Sequence, residues 1–188
     1  MNNIIITDSS LRDGNHSVKH TIGLESIKKY CKFANKANIP IVEVGHGNGV
    51  GASSLLIGKS KHTDREIIET AKKYLTNSKL GIHAIPGIAT VNKDIKPAID
   101  MGVNVVRVAT HCTEATLSKS HLEYLQNKDV IALGVLMMTA LIDTKTLIEN
   151  AGQFLLTGIG NLPGFGGAKE LEAMKKGRII SNRMELAF

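Results

Sequence analysis

The sequence predicts an α/β fold, part of a TIM-type (β/α) barrel of about five strand-helix units with an unmatched C-terminal tail, and three observations predict it. Short Ile/Val-rich runs alternate along the chain with amphipathic stretches of helical period. They read as continuous Ile/Val runs instead of alternating polar and apolar residues, as expected of parallel strands buried on both faces. The ionisable residues gather just after the runs, at what would be the carboxyl ends of successive strands. Several consecutive strands that each deliver polar groups to one end describe a barrel mouth better than the single crevice of an open doubly wound sheet.

Taken in order, Ile4 to Thr7 reads as the first strand, followed by a loop and a helix over Leu24 to Lys36. The second strand is Ile39 to Val44. A Gly-rich loop from Gly45 to about His62 precedes a helix over Asp64 to Leu75, for which Thr63 and Asp64 are the candidate N-caps. Leu80 to Ile85 and Lys93 to Met101 form the third pair, Val103 to Ala109 and Ser118 to Asn127 the fourth, and Val130 to Met137 and Thr144 to Ala151 the fifth. The 50 residues after Met138 hold the fifth helix and leave no room for three more units, against the ~250 residues of a typical eight-unit barrel. The expected division is therefore residues 1–152 as the N-terminal part of a barrel, and residues 153–188 as a divergent tail, with a Gly-rich loop over 158–167 and a short surface helix over 168–176. A barrel sheet with an uncovered edge invites association, so a homo-oligomer is expected.

Composition narrows the function classes. With 43% hydrophobic, 21% charged and 4% aromatic residues in 188, the chain belongs with globular proteins and has enough length for a substantial core. Its longest apolar run, Val130 to Met138, is less than half of the ~20 residues of a membrane helix. The N-terminus has no basic region ahead of an apolar segment, so no secretory signal is read and a cytoplasmic location is expected. Two cysteines, Cys31 and Cys112, make no disulfide framework and are expected to be reduced. The net charge of +6 favours anionic ligands, but it is spread along the chain and lacks interleaved aromatic residues, so a nucleic-acid partner is not expected.

The segment richest in chemistry is Asp8-Ser9-Ser10-Leu11-Arg12-Asp13-Gly14-Asn15-His16, where a strand gives way to a turn that presents a guanidinium, a carboxylate and an imidazole within five residues. A cation held by Asp13 would polarise a carbonyl, Arg12 would stabilise an enolate, and His16 would move a proton near neutral pH. The alternative is an ordinary Asp-Gly turn with solvated neighbours. Other candidates carry less. The glycines from Gly45 to Gly51 could bring backbone amides to a phosphate, yet no Lys-Ser/Thr ending follows, so a loop over the barrel mouth is the preferred reading. His111 and Cys112, near Glu114, are adjacent on a strand and so should face opposite ways. His83 reads as a hydrogen-bonded residue lining the barrel interior, His20 and His121 as surface residues, Met137 and Met138 as strand core, and Cys31 as helix packing.

The turn, together with VEVGHGNGVGASS at 42–54, HTD at 62–64, GIHAIPG at 81–87, VVRVATHCTEA at 105–115 and GVLMM at 134–138, resembles 4-hydroxy-2-oxovalerate aldolase over about residues 4–150. That family belongs to a wider group of metal-dependent barrels that includes hydroxymethylglutaryl-CoA lyase. The Leu-Arg-Asp-Gly turn marks the wider group, and His16 with the Val-Glu-Val-Gly-His-Gly stretch points to the aldolases within it. The resemblance implies Asp13 as a ligand of a divalent metal, Mn²⁺ above all, and as part of the substrate site. It implies Arg12 as the arginine that binds substrate and stabilises the pyruvate enolate, and His16 as the base that takes the C4 hydroxyl proton. It also implies cleavage of 4-hydroxy-2-oxoacids to pyruvate and an aldehyde, in a setting of aromatic catabolism, beside an acylating aldehyde dehydrogenase. The family's His-x-His metal pair is not found in this sequence, and neither its late serine nor its late tyrosine can be matched to the tail. Three readings therefore stay open: a metal-dependent aldolase impaired by loss of the second half-barrel, a non-catalytic truncated barrel acting as a binding module, and an acyl-CoA-dependent synthase or lyase on the same scaffold.

Overall fold

Continuous apolar runs have to be covered on both faces, and the chain does this by curling a parallel sheet and laying its helices along the outside. The structure, a computed structural model, describes residues 5–156 and 185–186. Five parallel strands, β1 (Ile5–Leu11), β2 (Ile41–Val44), β3 (Lys79–Ala84), β4 (Val105–His111) and β5 (Ile131–Met137), pair in sequence order. The helices α1 (Leu24–Lys36), α2 (Asp64–Tyr74), α3 (Lys96–Asp100), α4 (Lys119–Gln126) and α5 (Thr144–Leu156) alternate with them. A two-residue strand, β6 (Glu185–Leu186), pairs in parallel with β1 on the side away from β2. The curled half-barrel expected from the sequence is the fold observed. The predicted loop over 158–167 and helix over 168–176 lie outside the described residues.

Two apolar clusters account for the two faces of the sheet. The larger joins its outer face to the helices: Ile27 and Cys31 of α1, Ile67, Ile68 and Ala71 of α2, and Leu122 and Leu125 of α4 pack with Val42, Val44, Leu80, Ile82, Val106 and Val108. Cys31 is fully buried in it, and burial pushes its thiol up to about 12, which leaves it as packing. The smaller cluster, Ile41, Val105 and Leu133, sits on the inner face. Since side chains on a strand repeat their face every second residue, Glu43 follows Ile41 and Arg107 follows Val105 on that same inner face. The inner face thus changes from apolar to charged in one step toward the carboxyl ends of the strands.

Local chemistry fixes the elements. Thr63 caps α2 through a capping box, its hydroxyl accepting from the Glu66 amide at 3.2 Å while its own amide donates to Glu66 Oε2 at 2.8 Å. Asn35 of α1 clamps the segment after α2, its Oδ1 accepting from the amides of Thr76 at 2.8 Å and Asn77 at 2.6 Å.

Several boundaries differ from expectation. β1 does not end at Thr7: parallel pairing with β2 resumes beyond a register shift and carries the strand to Leu11, opposite Val44. The third helix opens with a π-helical turn over Val91–Ile95 before α3, because Pro97 in the first turn of α3 supplies no amide hydrogen. His20 and His121, expected on the surface, are both buried, and His121 Nε2 donates to the Ala89 carbonyl at 2.9 Å.

Candidate active site

The site is built on the carboxyl ends of β1 to β4. At its base lies Glu43, fully buried on β2. Arg12, from the turn after β1, donates Nε to Glu43 Oε1 at 2.6 Å, and Arg107, from β4, donates Nη1 to Oε2 at 3.0 Å. Burial alone would push the Glu43 carboxyl up, but Arg107 and Arg12 outweigh it and hold it at about 2, so it is ionised throughout the physiological range. His83, paired with Arg107 across β3 and β4, is held neutral instead of charged. Burial pushes its pKa down to about 3, and the attraction of Glu43 is opposed by the two guanidiniums.

This interior layer carries one buried carboxylate against two guanidiniums. Arg107 Nε and His83 Nδ1 are buried without a hydrogen-bond partner among the described residues, so the hydrogen bond expected at His83 is not made by Nδ1. Neither Glu43 nor Arg107 stood out in the sequence reading. The available signal was a charge inside an otherwise apolar buried strand, Ile41-Val42-Glu43-Val44 and Val105-Val106-Arg107-Val108, which the interior tolerates only when paired.

Arg12 connects this layer to the mouth. Its Nη1 donates to Asp13 Oδ1 at 2.8 Å and to the Gly47 carbonyl at 3.0 Å, while Nη2 takes part in none of these bonds. The guanidinium is thereby fixed in orientation although it belongs to a turn. Asp13 is exposed, its side chain 63% accessible. His16 closes the 3-10 turn Asp13–His16 and is exposed above Gly47, where any side chain would overlap its ring. The structure therefore brings Arg12, Asp13 and His16 to one edge of the half-barrel mouth, as their spacing anticipated.

The remaining sequence candidates fall into structural roles. Asp8 Oδ1 accepts from the Ser10 amide at 2.8 Å and Oδ2 from the Tyr30 hydroxyl, which ties the strand to α1. The Gly45–Gly51 loop folds over the mouth with Val50 buried, and Gly49 at φ +91° lies where a Cβ would overlap the His83 carbonyl. The Cys112 thiol donates to the Met138 carbonyl at 3.3 Å, and His111 Nδ1 lies 2.7 Å from the Thr113 hydroxyl and 3.9 Å from Cys112 Sγ, so the adjacent pair is in contact, with its closer partners the Met138 carbonyl and the Thr113 hydroxyl. Met138, expected in the strand core, lies just past β5 in a left-handed conformation and is 62% exposed.

No group of three or more His, Cys, Asp or Glu side chains among the described residues is arranged to hold a metal ion. Asp13 offers one anionic donor. A cation bound there needs further ligands that the described residues do not bring, so they do not by themselves fit a metal site.

With the fold and this arrangement in view, comparison with known proteins is decisive on family. Residues 3–144 match the HMGL-like family. The chain belongs to that family. Its first 150 residues or so resemble proteins named 4-hydroxy-2-oxovalerate aldolase. The one from Spirochaeta aurantia is 51% identical over 148 residues, covering 79% of this chain and 43% of the relative. The one from Pectobacterium atrosepticum is 44% identical over 148 residues, with the same coverage of 79% and 43%. The HMGL-like chain thus spans less than half the length of these curated relatives. Among solved structures, the carboxyl transferase domain of Rhizobium etli pyruvate carboxylase superposes with a TM-score of 0.74 at 11% identity, covering 100% of this chain and 40% of that one. The N-terminal domain of a putative aldolase from Bacteroides vulgatus gives 0.63 at 17%, covering 98% and 72%. At these identities the likeness is one of fold.

Proposed function

We propose that this HMGL-like chain carries the enolate-stabilising and proton-accepting half of an aldolase site that cleaves 4-hydroxy-2-oxoacids, 4-hydroxy-2-oxovalerate among them. The observation that carries the reading is Arg12. Its guanidinium is locked by Glu43, Asp13 and the Gly47 carbonyl, within a turn that also presents Asp13 and His16. In the proposed reaction His16 accepts the proton of the C4 hydroxyl. The C3–C4 bond then breaks, C4 becomes the aldehyde carbonyl, and the electron pair passes to C3 as the pyruvate enolate, which is reprotonated to pyruvate. Charge grows on the C2 oxygen only as that bond breaks. A preorganised guanidinium aimed at this oxygen therefore lowers the barrier without tightening ground-state binding. Asp13 is proposed as one ligand of a divalent cation, Mn²⁺ by the resemblance, with the other ligands supplied from outside the described residues. A homo-oligomer, and an acylating aldehyde dehydrogenase as acceptor of the aldehyde, belong to the same proposal.

The test is pyruvate release from 4-hydroxy-2-oxopentanoate by the purified chain with saturating Mn²⁺, coupled to lactate dehydrogenase. Arg12→Ala should lower kcat with little effect on Mn²⁺ affinity, Asp13→Asn should weaken Mn²⁺ binding, and His16→Ala should slow turnover on the order of 10²-fold and remove the acid limb of the pH profile. An inert wild-type chain that still binds 2-oxoacids would favour the binding-module reading instead.

A further inference from the structure

Three histidines meet at the mouth, and only His16 has been given a role. His20 and His46 are stacked, with ring centroids 3.6 Å apart and planes 18° from parallel. His16 meets this stack edge-on, 5.1 Å from His20 at 70° and 6.4 Å from His46 at 80°. The backbone sets the arrangement. His20 holds a left-handed φ of 60°, its amide donating to the Asn15 carbonyl at 2.8 Å and its carbonyl accepting from the Lys61 amide at 2.9 Å.

The hydrogen bonds of the stacked pair define its protonation. His46 Nδ1 accepts from the Asn48 amide at 3.1 Å, so it carries no proton, and Nε2, 3.1 Å from the Gly58 carbonyl, must be the donor. His20 Nδ1 accepts from the Gly47 amide at 3.4 Å. A second proton on either ring would aim an N–H at a backbone N–H, and protonating both would place two cations face to face. His46 is fully buried and His20 nearly so, and burial lowers the pKa of both, reinforced at His20 by His46 and His16. The other charged groups nearby are Asp64, at the start of α2, which favours a proton on His46 less than burial opposes it, and Arg12, bonded to the Gly47 carbonyl.

We propose that His20 and His46 are positioning residues: a neutral, stacked imidazole pair that wedges the His16 ring over Gly47. The proposal rests on the reading of His16 as the base. Gly47 is the other wall of the wedge, since a Cβ there would occupy the position of the His16 ring.

Imidazole nitrogen and carbon shifts of the full chain, labelled with ¹⁵N-histidine, test this without reference to turnover. At about pH 6.5, the ordinary histidine midpoint, His20 and His46 should both remain predominantly in the neutral Nε2–H form, with His16→Asn supplying the assignment. A half-protonated stacked ring at that pH, or a neutral Nδ1–H tautomer in either, would overturn the proposal. His20→Gln retains an acceptor for the Gly47 amide without a ring to wedge His16. It should weaken the nuclear Overhauser contact between His16 and Gly47 and lower kcat about 10- to 100-fold with KM little changed. An undiminished His16–Gly47 contact in His20→Gln would overturn the wedge. The expected tautomers in a chain that releases no pyruvate would refute the aldolase reading and leave the clamp standing. An active chain with a half-protonated stacked ring at that pH would do the reverse.

Discussion

Replacing Glu43 by Gln removes one negative charge, at nearly constant shape, from between two guanidiniums that have no other buried carboxylate among the described residues. The Arg107 side chain is 2% exposed and that of Arg12 8%. Two routes give the size of the effect. Removing one member of a buried ion pair costs about 3–5 kcal/mol, because the remaining charge stays desolvated and unpaired. Independently, a carboxyl held at about 2 in the fold against about 4.3 in an unfolded chain corresponds to roughly 3 kcal/mol through proton linkage. For a chain of this length each kcal/mol moves the melting temperature by about 2–4 °C, so Glu43→Gln should melt about 6–20 °C below wild type at neutral pH. The pH dependence has a definite sign. The folded pKa is depressed, so the stabilisation is full above about pH 4.3 and is lost as pH falls toward 2. The difference between wild type and Glu43→Gln should therefore shrink across that window. Circular-dichroism melts and urea titrations from pH 7 to pH 3 measure it. A variant that melts within about 2 °C of wild type at pH 7, or a gap that stays constant with pH, would refute the account of Glu43 as the charge that makes this interior layer tolerable.

Two further outcomes follow from the same interior. His83 is held at about 3 against about 6.5 unfolded, so the unfolded chain binds the extra proton between those values, and His83 contributes a loss of stability as pH falls from 6.5 toward 3. His83→Leu should flatten that decline in urea midpoints, and an unchanged slope would show that His83 does not stay neutral in the fold. Gly49→Ala meets both a left-handed backbone at φ +91° and an overlap with the His83 carbonyl. It should cost about 2 kcal/mol or more and lower the melting temperature by about 4–8 °C. Gly87→Ala, at φ +92° but with open space around the added carbon, should cost only about 1 kcal/mol. Equal melting temperatures for the two variants would refute the assigned clash.

What the sequence determined by itself was everything that repeats or is local. Continuous apolar runs such as Ile131-Ala132-Leu133 announced strands covered on both faces, and Thr63 with Asp64 announced a helix start, because periodicity and capping act over a few residues. The Arg12-Asp13-Gly14-Asn15-His16 turn was legible for the same reason: its three functional groups are neighbours in the chain as well as in space. What only the tertiary structure decided was pairing between distant segments. Glu43 lies 31 residues from Arg12 and 64 from Arg107, and nothing local says that the one charge in each of two buried strands belongs to the same cluster. His20 and His46 are similar: each looks like a loop residue in sequence, and only the left-handed backbone at His20 and the tight course of the loop past Gly47 stack the two rings against His16. Buried charge is stable only where opposite charge meets it, and that meeting is set by strand register, which the curled sheet supplies and the linear sequence does not display.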